Sequence, residues 1–174
     1  MKKAIKFLSR FLWGTVLTLF AFSGSIPAAE EPVINHFFAA QEMVSGNTWK
    51  IYIKASSPAA DMKYIYATVE QKGGTIYPIS ITRIKKGDAR VFSGYLYLPT
   101  ASAGNDWNIF PLDLTIQIKD EQGRFSNPVK FHLNFNWRAS KQEPPAGVFE
   151  EKDLGPIMIQ LRPFQDFGDG SYSP

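Results

Sequence analysis

Hydrophobic and polar positions alternate along most of the chain, and the alternation has a period of two. Thr48–Ala55 puts Trp49, Ile51 and Ile53 on one side and Lys50, Tyr52 and Lys54 on the other. Met62–Gln71 repeats this, with Ile65, Ala67 and Val69 opposite Tyr64, Tyr66 and Thr68. In Leu112–Lys119, Leu112, Leu114, Ile116 and Ile118 alternate with Asp113, Thr115, Gln117 and Lys119. Successive side chains of an extended chain point to opposite faces, so each run predicts a strand with one buried face. Val33–Ala39, Ile76–Ile84, Arg90–Leu98 and Arg124–Trp137 complete a set of seven. Pro78 lacks the N–H that a central strand donates, which assigns Ile76–Ile84 to an edge.

Turn residues punctuate the runs. Gly46, Lys72-Gly73-Gly74, Lys85-Lys86-Gly87-Asp88 and Asp120-Glu121-Gln122-Gly123 separate consecutive strands. Pro99–Asn108 is a longer polar loop containing Gly104, Asn105, Asp106 and Trp107. No window between residues 30 and 174 carries a helical period. The pattern predicts an all-β, seven-stranded antiparallel sandwich over residues 30–138, with a small barrel as the alternative.

The two ends differ from this rhythm. Lys2, Lys3, Lys6 and Arg10 precede a 12-residue apolar run, Phe11–Phe22, and then small residues up to Ala29. A basic start, a short apolar stretch and a small-residue exit define a secretory signal peptide, here residues 1–29. The run is shorter than the ~20 residues that span a bilayer, so no membrane span is expected after cleavage. Residues 139–174 read as a linker and tail. Glu143-Pro144-Pro145 and Glu150-Glu151 mark the linker, and a possible extra strand at 154–164 alternates Ile157, Ile159 and Leu161 with Met158, Gln160 and Arg162. That strand has two destinations: an edge of its own sandwich, or the sheet edge of a partner.

Composition narrows the function classes. The formal charge of +3 depends on the leader; without residues 1–29 the chain holds 15 basic and 16 acidic residues. A net charge of −1 gives no basic field for nucleic acid, and none is expected as partner. The chain has no cysteine, so disulfides, thiolate metal sites and thiol nucleophiles are excluded. His36 and His132 lie on the first and last strands without metal-ligand spacing. Asp61, Asp88, Asn105 and Asp106 sit in turns or loops, where Asp and Asn bond their own backbone, so a calcium site is not assigned. Paired carboxylates occur only as sequence neighbours, and no Gly-x-Ser-x-Gly is present. No cofactor, metal or catalytic residue is expected.

The run from Leu114 to Phe131 ends a strand in Asp120, turns at Gly123 and enters the next strand through Ser126-Asn127-Pro128. This resembles the last hairpin of bacterial immunoglobulin-like and fibronectin type III-like domains, and Met62–Glu70 is similar to their third strand. The resemblance spans roughly residues 33–137. The cysteine pair of antibody domains is missing, and Phe110 and Leu112 stand where a tyrosine corner would be. The resemblance implies an immunoglobulin-like fold used in exported proteins as a spacer, adhesion unit or assembly subunit.

Outward-facing aromatics supply the candidate contacts. Tyr52, Tyr64, Tyr66, Tyr95 and Tyr97 lie opposite the core residues of their strands, and tyrosine suits a contact face because it buries area and keeps a hydroxyl. Trp107 in the long loop and Ile157, Ile159 and Leu161 in the tail complete the set. The reading is a non-catalytic binding or structural module, periplasmic or secreted, acting through contacts with another envelope or extracellular protein. A carbohydrate-binding module using exposed aromatics is the alternative, and a hydrolase with a site in the loops the third reading.

Overall fold

A computed structural model describes residues 30–72, 75–100 and 110–161. Residues 1–29, expected above to be a leader, the Gly73-Gly74 turn, the loop residues 101–109 with Asn105, Asp106 and Trp107, and Arg162 onward lie outside the described residues.

The strands form two sheets. Four strands, β1 (Val33–Ala39), β3 (Thr48–Ser56), β7 (Val91–Pro99) and β10 (Asp153–Pro156), make the first in the order β1-β3-β7-β10. The second has the order β2-β9-β8-β4-β5. It contains β2 (Glu42–Met43), β4 (Met62–Gln71), β5 (Thr75–Ile76), β8 (Leu112–Asp120) and β9 (Val129–Phe135). β6 (Ser80–Arg83) also pairs with β4. A 3-10 turn, Lys86–Asp88, leads into β7.

The fold is all-β and sandwich-like, as the alternation requires, but two expectations are corrected. The strands number more than seven, because Pro78 splits the expected Ile76–Ile84 run into β5 and β6, and two short edge segments, β2 and β10, are added. The pairing is not wholly antiparallel: β2 runs parallel to β9, and β10 parallel to β7. Both exceptions join segments far apart in sequence, where no hairpin dictates direction.

The alternating apolar residues meet between the sheets. Trp49, Ile51, Ile53, Leu96 and Leu98 from one sheet pack in one core with Ile65, Val69, Leu114, Ile116 and Ile118 from the other. The Trp49 indole N–H reaches the Ala40 carbonyl at 2.8 Å, which satisfies its one polar atom in the core.

The final hairpin shows why its sequence turns where it does. Gly123 adopts φ +90°, a conformation that costs glycine little. The Asp120 carboxylate accepts the Arg124 backbone N–H at 2.8 Å and its Nε at 2.6 Å. Arg124 also approaches Asp61 at 3.5 Å, and Asp61 accepts the Ser57 hydroxyl at 2.7 Å. The Ser126 hydroxyl accepts the Ile118 N–H, and the Asn127 carboxamide oxygen accepts the Ile34 N–H, tying β1 to the hairpin.

The tail docks on its own sandwich. β10 pairs with β7, with Pro156 opposite Tyr97, and Ile157 and Leu161 enter the core at 2% and 1% exposure. Within the described part of the expected 154–164 stretch, the strand covers Asp153–Pro156; Ile157 still donates its N–H to the Tyr97 carbonyl at 2.8 Å, and residues 162–164 lie outside the described residues.

Candidate functional site

The five tyrosines fall on opposite faces of the molecule. Tyr64 and Tyr66 lie on the outer face of the six-stranded sheet, half-buried, with ring centroids 6.5 Å apart. Tyr66 stacks edge-on against Phe125 at 5.3 Å, and Lys119 lies over both rings. Tyr52, Tyr95 and Tyr97 lie on the outer face of the four-stranded sheet. Tyr52 is opposite Tyr95 across β3 and β7, with ring centroids 5.6 Å apart.

The outward Tyr52 is not an exposed residue, and this corrects the expectation for it. It is 5% exposed, because Phe38 packs beside it and Phe149 of the returning tail stacks on it at 5.6 Å. Its hydroxyl donates to the Glu151 carboxylate at 2.6 Å. Lys50 reaches the other oxygen of that carboxylate at 3.0 Å and sits 4.0 Å from the centre of the Tyr95 ring. Three strands and the tail thus converge on one charged and aromatic cluster.

The cluster's ionisable groups tune one another. Hydrogen bonds from Tyr52 and then Lys50 hold the Glu151 carboxyl below the ordinary glutamate range. The bond to Glu151 raises the Lys50 ammonium. Burial raises the Tyr52 phenol, and its bond to the carboxylate adds to the shift. The cluster therefore stays as a cation, an anion and a neutral phenol around neutral pH.

Beside this cluster opens a cleft of about 910 Å³. It is lined by Phe38 and Tyr52 from the outer face of the sheet, by the edge of the otherwise buried Trp49, by Met43 and Val44 of the β1–β3 connection, and by the linker around Lys141–Pro144. Lys50 and Glu151 stand at one end. The linker is held by the Gln142 side chain, which accepts the Gln41 N–H at 2.8 Å. The volume lies within the ~300–1,000 Å³ of ordinary ligand sites, and the lining mixes aromatic and aliphatic side chains with charges of both signs.

The other candidates do not converge. His36 is exposed on β1 of the four-stranded sheet, while His132 on β9 of the six-stranded sheet pairs with Asp113 at 2.6 Å. Asp88 is bound to Lys152 at 2.6 Å, and Asp61 to Ser57 and Arg124. No group of three or more His, Cys, Asp or Glu that could hold a metal occurs among the described residues. Ile157 and Leu161 lie in the protein's own core, with Ile159 partly buried against it, so the docked tail offers none of them as a free contact.

Sequence reasoning singled out Tyr52 and Tyr95 but missed Phe38, Lys50, Phe149 and Glu151. The available signal was Phe149-Glu150-Glu151-Lys152, where an aromatic and charges stand in a stretch otherwise typical of a linker. The fold and site define a sandwich-like all-β protein with a cleft between the four-stranded sheet, the β1–β3 connection and the linker. The chain matches no family model, no curated protein and no solved structure. Among the described residues, no helix is long and apolar enough to cross a membrane.

Proposed function

We propose that the protein is a non-catalytic exported module that binds an extended segment of another envelope or extracellular protein in the cleft beneath its linker. The cleft carries this reading. It combines the apolar Phe38, Met43 and Val44 with charged side chains from β3 and the linker, and is bordered by β1, the last strand of its sheet, beyond which no further strand pairs among the described residues. An open strand edge offers main-chain donors and acceptors to an added segment, and the neighbouring cleft offers both apolar and charged contacts to its side chains.

Two further observations support the class. The leader pattern of residues 1–29 argues for export to the periplasm or beyond. The strand order supports the immunoglobulin-like resemblance: β3 beside β7 in one sheet and β4, β8 and β9 in the other match the two-sheet plan of that fold. Such a scaffold hosts many functions, so the cleft and not the fold carries the assignment.

A photo-crosslinking residue in place of Thr48, at the cleft, tests the reading in the host's envelope, with Thr115 on the opposite sheet as control. The expected result is a discrete protein adduct from position 48 and none from 115. Equal adducts at both positions, or none at either, would overturn it. Glycans that quench tryptophan emission and block the adduct would instead favour the carbohydrate reading.

A further inference from the structure

The β7 edge is closed from far along the chain. In the immunoglobulin plan a strand placed shortly before the equivalent of β7 covers that edge. Here residues 84–90, between β6 and β7, contain only a 3-10 turn, and β10 takes the position instead.

The edge is shaped for that segment. A Cβ at Gly94 would stand 2.4 Å from the Lys152 carbonyl oxygen, so only glycine lets the tail come so near. The Tyr95 N–H donates to that carbonyl at 2.9 Å, and the Ile157 N–H to the Tyr97 carbonyl at 2.8 Å. Ser93 and Ser80 hydroxyls accept the Glu150 and Met158 N–H groups, and Asp88 holds Lys152. These partners all belong to the sandwich, so a tail delivered by any copy of the chain would find them.

The linker, by contrast, is tied to the sandwich by few bonds, chief among them the Gln142 side chain accepting the Gln41 N–H at 2.8 Å. It roofs the cleft of about 910 Å³ rather than filling it, and Lys141 and Glu143 pair with each other at 2.8 Å. Pro144-Pro145 fixes φ at two consecutive residues and favours an extended path. Opening the linker costs few contacts, whereas an empty β7 edge would leave Ile157, Leu161 and the strand's backbone groups uncovered.

We propose that segment 147–161 is an exchangeable strand, and that the β7 edge of one copy accepts it from a second copy, giving reciprocally exchanged pairs. Reciprocal exchange keeps every tail contact and straightens only the linker, which is the condition for a strand-swapped dimer. This goes beyond the cleft reading and does not rest on it.

The absence of native cysteine makes disulfide trapping clean. Tyr97→Cys and Pro156→Cys stand at register partners of β7 and β10. The two single variants are mixed, briefly warmed near the unfolding transition, concentrated and oxidised. The expected result is a cross-chain disulfide dimer that increases with concentration and doubles the mass by light scattering. Asp113→Cys mixed with His132→Cys, register partners within the β8–β9 hairpin, should give none. One chain carrying both Tyr97→Cys and Pro156→Cys should close internally when dilute, which reports folding and geometry. If that pair does not close, Tyr95→Cys with Asp153→Cys repeats the test at a second register pair of the same two strands. Absence of cross-chain dimer in these mixtures at every concentration, or equal dimer from the hairpin control, would overturn the proposal.

Discussion

Gly94→Ala is expected to lift the tail from β7 while leaving the sandwich folded. The added methyl would lie 2.4 Å from the Lys152 carbonyl oxygen and 2.9 Å from Leu154 Cγ. The first contact is with backbone, so no rotamer change relieves it, and β10 must move away. That displacement breaks the 2.9 Å bond from the Tyr95 N–H to Lys152 and loosens Leu154. One lost hydrogen bond with its exposed partners is worth about 1–2 kcal/mol, and partial loss of a leucine's packing about 1–2 kcal/mol more. The total, about 2–4 kcal/mol, corresponds to a roughly 30- to 700-fold rise in the undocked fraction. Hydrogen exchange reads this directly, because local opening sets amide protection. Protection at Tyr95 and Ile157 should fall by that factor, with amides of Leu114–Ile118 in β8 unchanged. Gly87→Ala, where an added Cβ meets nothing within 4 Å, is the control. Protection within threefold of wild type at Tyr95 and Ile157 would refute the reasoning.

Ile157→Ala should cost roughly 2–5 kcal/mol if the docked tail is part of the cooperative core, read as a lower urea midpoint with an unchanged slope. Arg124→Ala leaves the Asp120 carboxylate, 0% exposed, without its cation; a loss of about 3–5 kcal/mol is expected in the same assay. Stability should also depend on pH through the cleft cluster. Glu151 is held below its ordinary value, so its contribution is present above the unfolded-state pKa of ~4.3 and is lost as pH falls through the folded one. Tyr52 and Lys50 are raised, so their contributions are complete below the unfolded values near ~10 and fade as pH rises through the folded ones. Glu151→Gln should therefore flatten the acid side of the melting-temperature profile, and an unchanged acid limb would count against the cluster.

The strands and their buried faces were legible because alternation is a local property. Ile51, Ile65, Leu98 and Ile116 face the core for the same reason that their polar neighbours do not: adjacent residues of an extended chain point oppositely, and one side must leave water. The turn at Gly123 was legible from a single-residue backbone limit, whereas Pro78 marked an edge without revealing that the run would break there into two strands. The choice of distant partners carries no such local signature. Tyr52 alternates like an exposed residue, yet Glu151, 99 positions away, bonds its hydroxyl, and Phe149 covers its ring. Likewise the tail's apolar period announced a strand but not its edge, its direction or the depth to which Ile157 and Leu161 sink. Those were decided by the uncovered side of β7 and by the space left at Gly94, which exist only once the two sheets have assembled.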